Sequence, residues 1–207
     1  MLNEFKFIKH AKNFVDKTKA IKALTGIYYA EDGSLACSNN CVLVILKDVH
    51  NRQEVIIDPS TGEVIDSDFP DVQKTLSSVA QQQDEQLVIK NDTNLRCFID
   101  SLEFLNKTTK TNNKAVMLKI SNKAKTITIN RLSNKNEKDP FFTICMPFEG
   151  EVKDATLHFN VRYLLDVFKL LAVNKEEDVL VEFGGIFVPM SLTAGNAFTL
   201  VTPLKVW

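Results

Sequence analysis

Glycine is scarce in this chain, with seven in 207 residues. That leaves little room for a Gly-rich loop that cradles phosphates, and no such loop, no His-Glu-x-x-His helix and no Gly-x-Ser-x-Gly elbow occurs. Histidine is equally sparse: His10, His50 and His158 lie far apart and fall in no catalytic spacing, so no catalytic residues are expected. The four cysteines, Cys37, Cys41, Cys97 and Cys145, are too few and too scattered for a disulfide framework and are read as free thiols. Cys37 and Cys41 have no second ligand pair nearby, so neither a metal nor a cofactor is expected. No apolar run approaches membrane-spanning length. Met1-Leu-Asn-Glu-Phe-Lys-Phe7 also lacks the basic-then-apolar order of an export signal. A cytoplasmic protein with no membrane partner is the expectation.

What is present is a segregation of charge beneath a formal net charge of -1. Residues 1–25 carry six lysines against two acids, and 26–106 carry five basic residues against fourteen acids. Residues 107–138 carry nine basic against one acid, and 139–207 five against nine. Two basic blocks in an otherwise acidic chain can form one phosphate-facing surface while the remainder repels nucleic acid.

At 44% hydrophobic composition the chain can bury a sizeable core, as one large domain or two small ones. A basic amphipathic helix is expected around residues 8–22, with Ile8, Ala11, Phe14, Val15 and Thr18 on one side and Lys9, Lys12, Lys17 and Lys19 on the other. Strand-like runs follow at 26–30, 34–37 and 41–46, the first two joined by an Asp32-Gly33 hairpin signal. Runs at 55–57 and 63–65 flank Pro59-Ser-Thr-Gly62 as a second hairpin. After the Asp68-Phe-Pro-Asp71 turn comes a polar stretch with no clear apolar period, and the domain boundary is placed there, near residue 80. Asn91-Asp92 then caps a helix whose apolar face is Leu95, Phe98, Ile99, Leu102 and Leu105. Strands are expected at 86–90, 115–120, 126–131, 141–146 and 156–159, then a helix from Asn160, then strands at 179–183, 186–192 and 198–204. In the part after residue 80, two helices among about eight antiparallel strands is an α+β arrangement, with the helices packed on the sheets.

Several of these segments carry a resemblance. Asn160-Val-Arg-Tyr-Leu-Leu-Asp-Val-Phe-Lys-Leu-Leu171 and the terminal Thr202-Pro-Leu-Lys-Val-Trp207 resemble the last helix and last strand of bacterial sliding clamps, the beta subunits of DNA polymerase III. Ser38-Asn-Asn-Cys-Val-Leu43 occupies the positions of the family's Thr-Asp-Gly-His-Arg-Leu motif, with Cys41-Val42 in place of His-Arg. Phe69-Pro70-Asp71 resembles the turn that closes the same middle domain. The resemblance implies a DNA-clamp fold with an abridged middle-type domain, 1–80, and a complete C-terminal-type domain, 81–207.

It also implies a function: encircling duplex DNA without sequence preference and tethering a DNA polymerase and other clamp-binding proteins through an apolar groove. Lys9, Lys12, Lys19, Arg162 and Lys169 are the expected phosphate contacts, although Asp166 can pair with either of the last two. The acidic helix 91–106, exposing Asp100 and Glu103, is expected to make a poor channel wall. Ser38, Leu43, Leu76, Leu200, Thr202, Pro203 and Leu204 are the expected groove residues. Six domain equivalents close a ring in that family, so a homotrimer is implied if the short domain counts as one. The alternative is a non-ring protein that keeps the groove and modulates replication by protein–protein interaction.

Overall fold

A computed structural model describes residues 1–109, 114–131 and 143–205. Among these are four α-helices and twelve strands. The helix α1 (Glu4–Ala11) leads into β1 (Ile27–Tyr29), β2 (Leu35–Ser38) and β3 (Val42–Leu46), followed by β4 (Val55–Ile57) and α2 (Val72–Ala80). Then come β5 (Gln83–Ile89), α3 (Thr93–Thr108), β6 (Ala115–Ser121), β7 (Thr126–Arg131) and β8 (Thr143–Pro147). The chain ends with β9 (Ala155–Asn160), α4 (Val161–Leu171), β10 (Val179–Gly184), β11 (Met190–Ala194) and β12 (Ala197–Val201).

All the ladders are antiparallel, in an eight-stranded sheet of order β4-β1-β2-β3-β12-β11-β10-β5 and a four-stranded sheet of order β8-β7-β6-β9. The pattern is a repeated unit, one helix followed by a meander of three strands. It recurs as α1-β1-β2-β3, α3-β6-β7-β8 and α4-β10-β11-β12. The last two units exchange strands: β5, before α3, pairs with β10, while β9, before α4, pairs with β6. In the first unit β4 takes the matching place beside β1.

Alternation divides each sheet into two faces. Inward, Cys37, Val44, Thr199, Leu192, Val181 and Leu87 form one continuous row across six strands, each residue opposite the next. They join Phe7 and Phe14 of the N-terminal region, Phe98 and Leu102 of α3 and Phe168 of α4 in one core. Outward, Ser38, Leu43, Leu200 and Ser191 form the corresponding row. Helices α1, α4 and α3 cover the inner face as neighbours in that order. Asn13 Nδ2 donates to Asp166 Oδ1 at 3.3 Å between the first two, and the rings of Phe98 and Phe168 meet edge-on at 5.2 Å between the others.

The expected helix over 8–22 is shorter and earlier. Asn3 starts it by accepting the Lys6 N–H at 3.0 Å. Beyond Lys12, the buried Asp16 carboxylate accepts the N–H groups of Thr18, Ala20 and Ile21 at 2.8, 3.1 and 3.4 Å. Those donors are thereby diverted from a helix into a turn, which carries Lys19 at a left-handed φ of 60°. The sequence reading also misses α2, where Asp71 accepts the Lys74 N–H at 2.9 Å as the N-cap. The expected strand at 186–192 begins later: Gly184 and Gly185 turn the chain, Val188 N–H closes on Gly185 O at 2.9 Å, and pairing resumes at Met190. The hairpin flanking Pro59–Gly62 forms, with Asp58 N–H to Glu63 O at 2.9 Å and Ile65 N–H to Ile56 O at 2.8 Å. The start of the expected 141–146 strand, and Val206 and Trp207, lie outside the described residues.

Candidate functional site

Two hollows lie on the outer face of the eight-stranded sheet, on either side of the segment Phe69–Val72. The first, about 260 Å³, is floored by Leu43 and Leu200, which are opposed across β3 and β12, and walled by Val72, Thr75 and Val79 of α2. Ser38 and Thr202 stand at its rim. The second, about 580 Å³, is floored by Tyr28, Ala36 and Ile45 from three adjacent strands and closed by Leu76 of α2. Phe69, Pro70, Asp71 and Val72 line both, which makes one interrupted groove. The Phe69 ring is held in place by stacking on Tyr28, 4.8 Å between centroids and 4° from parallel.

Acidic groups edge the second hollow: Glu31, Asp32, Asp48 and Asp71, with Lys47 the cation among the lining residues. The Tyr28 hydroxyl donates to Glu54 at 2.7 Å, and burial together with that bond pushes the phenol up to about 12. Asp32 is held below the usual carboxylate range by hydrogen bonds from the Ser34 hydroxyl and N–H. It therefore remains charged at neutral pH.

Of the expected groove residues, Ser38, Leu43, Leu200 and Thr202 line the first hollow and Leu76 the second. Pro203 and Leu204 do not line either one. Pro203 is buried, and the Leu204 N–H donates to His158 O at 2.7 Å, tying the C-terminal segment to β9. The residues missed are Tyr28, Phe69, Val72, Thr75 and Val79. A signal for α2 existed: an Asp71 cap followed by Val72, Thr75, Leu76 and Val79 at helical spacing.

The expected phosphate contacts divide. Lys9 is exposed on the last turn of α1 with its ammonium 4.3 Å from the Phe5 ring centroid, and Lys12 is exposed at the C-cap. Lys6, not among the expected residues, is exposed on the same helix. Lys19 is exposed but belongs to the Asp16 turn, so it does not share the helix with the others. Arg162 is exposed on α4, its Nε 3.8 Å from Asp166. Lys169 is engaged instead with Glu103 of α3 at 2.7 Å. Hydrogen bonds from Lys107 and Lys169 hold Glu103 down at about 2, so this acid stays ionised and neutralises part of the helical face. Asp166 is shifted the other way, raised by burial against the opposing pull of Arg162, Lys169 and Lys17.

No family model and no curated protein sequence matches the chain. Solved structures do. The Caulobacter crescentus beta sliding clamp superposes with a TM-score of 0.74 at 15% identity, over 99% of this chain and 65% of that one. The Bacillus subtilis DNA polymerase sliding clamp gives 0.74 at 16% identity, over 97% and 63%. This chain has the sliding-clamp fold. A third clamp, the DNA polymerase III beta subunit of Bartonella birtlesii solved bound to griselimycin, gives 0.73 at 14% identity over 97% and 64%. The chain thus spans about 65% of the length of the clamps it matches. Among the described residues no group of three or more His, Cys, Asp or Glu is placed to hold a metal ion, and no helix is long and apolar enough to cross a membrane.

Proposed function

We propose that this protein is a non-enzymatic docking subunit of DNA replication, a clamp-like processivity factor that receives peptide segments of a polymerase or related partner in its outer groove. The observation that supports this reading is the groove itself. Half-buried apolar side chains from β1, β3, α2 and the Phe69 turn converge on two connected hollows, the form that takes the anchor residues of an extended peptide. The division at residue 80 belongs to the same proposal. Residues 1–80 would supply one wall and α2, and 81–207 would supply β12 and the C-terminal segment. The test is calorimetric titration of a short apolar clamp-binding peptide from a DNA polymerase. Binding in the micromolar range is expected, and absence of binding would reduce the likeness to one of fold.

The opposite, helical face is proposed to meet duplex DNA through Lys6, Lys9 and Lys12, with Arg162 beside them. Contacts of this kind go to phosphates and carry no sequence information. Replacing the three lysines by glutamate is expected to weaken DNA binding uniformly across sequences and to reduce the slope of log affinity against log salt by roughly three. The positions are exposed, so the fold should survive. A salt slope that stays unchanged would remove α1 from the DNA surface.

A closed ring of three copies is one form of this reading, and an open, non-ring protein is the other.

A further inference from the structure

The two hollows of the outer groove differ in charge. Of the residues that line the first, Asp71 alone is charged, whereas the second adds Glu31, Asp32 and Asp48 against Lys47. The floor of the second is nevertheless apolar, made by the buried Ala36 and Ile45 and by the stacked rings of Tyr28 and Phe69. We infer, on the peptide-docking reading proposed above, that the second hollow seats an arginine side chain, so that the partner segment is cationic beside its apolar anchor.

The backbone sets the carboxylates in place. In the turn between β1 and β2 the Gly33 carbonyl accepts the N–H groups of Val49 at 3.0 Å and His50 at 3.3 Å. These bonds tie the turn that carries Glu31 and Asp32 to the segment after β3 that carries Asp48. Asp32 in turn accepts the Ser34 N–H at 2.9 Å, and Asp71 is fixed at the head of α2 by its cap bond to Lys74. Asp48 sits at a left-handed φ of 55°, which a short polar side chain tolerates better than a bulky one. Acids anchored in this way need little ordering when a ligand arrives.

Among the described residues none of these four carboxylates forms a salt bridge, so their charge is open to a partner. Nor do they converge on a point in the way that would hold a metal ion. Charge spread along a rim above an apolar floor fits a long side chain that lays its stem on the floor and carries its charge to the edge. Arginine meets both demands better than lysine, because its planar guanidinium stacks on aromatic rings and bonds carboxylates as a fork. Since Phe69, Pro70, Asp71 and Val72 line both hollows, one extended segment can cross them with an apolar residue on one side and the arginine on the other.

Calorimetric titration of peptides that share one apolar anchor and are flanked at both ends by arginine, lysine, glycine or glutamate tests the inference. The arginine peptide is expected to bind about tenfold more tightly than the glycine peptide and the glutamate peptide more weakly, with the spread narrowing as salt is raised. Lysine flanks should lose about threefold against arginine. Glu31→Gln combined with Asp48→Asn removes two rim charges at exposed positions and should bring the arginine and glycine peptides to within about twofold of each other. Asp100→Asn combined with Glu176→Gln, an equal change in net charge outside both hollows, should keep the preference. Equal affinity for the arginine and glycine peptides, equal affinity for arginine and lysine, or a preference that survives the rim variant would each overturn the inference and leave the groove reading standing. Failure of every peptide to bind would overturn that reading and the inference with it.

Discussion

Val72→Asp is expected to weaken peptide binding by about 2 kcal/mol, roughly thirtyfold, while leaving the fold intact. Val72 is half-buried and lines both hollows of the groove. A carboxylate there meets the inserted apolar side chain with no partner of its own, and the complex loses the exclusion of water that gives such contacts their strength. The free protein tolerates the change because position 72 is the first residue of α2, where the exposed N–H groups favour negative charge. Lys74→Asp, two residues along the same helix on an exposed position outside the groove lining, is the control. Titration of one peptide against wild type and both variants decides the matter. Equal affinity in all three would place the binding surface elsewhere.

The largest loss of stability is expected at Phe98. Its side chain is 1% exposed, meets the Phe168 ring edge-on at 5.2 Å, and joins α3 to α4 above the four-stranded sheet. Phe98→Ala should cost about 3–5 kcal/mol, the range for truncating a fully buried phenylalanine. For a chain of this length the corresponding fall in Tm is roughly ten degrees or more. Differential scanning calorimetry that shows a shift of only a degree or two would mean that the α3–α4 contact is not central to the core.

The parts of this fold that could be read from the sequence are those in which local chemistry and tertiary packing agree. Asn160 caps α4, and its apolar positions run through Leu171; Asp92 caps α3 above Leu95, Phe98, Ile99, Leu102 and Leu105. The Asp32-Gly33 hairpin needs Gly33 at a φ of 81°, with room for no side chain beside His50 O. The failures have identifiable competitors. At residues 8–22 the apolar period continues past the true end of the helix, but Asp16 offers the backbone a better set of bonds. At 72–80 the apolar residues are few because α2 covers the outer face of a sheet, with Val79 its one fully buried side chain. A helix that rests on a surface writes a fainter period than one that enters a core. The groove was legible where it borrows from strands, at Ser38, Leu43, Leu200 and Thr202, and illegible where it borrows from that helix. Leu204 was misplaced because the register by which the C-terminal segment rejoins β9 is a long-range property.

The repeated unit of one helix and three strands has a consequence for how proteins of this architecture change size. The first and third units join through their third strands, and each unit's first strand is covered by a strand from outside its own meander, β4 beside β1, β9 beside β6 and β5 beside β10. Removing one unit therefore strands a single first strand, and a short hairpin such as 55–65 suffices to cover it. Length in this architecture can accordingly be gained or lost in steps of half a domain. Three units already provide, by that measure, an inner wall and an outer groove.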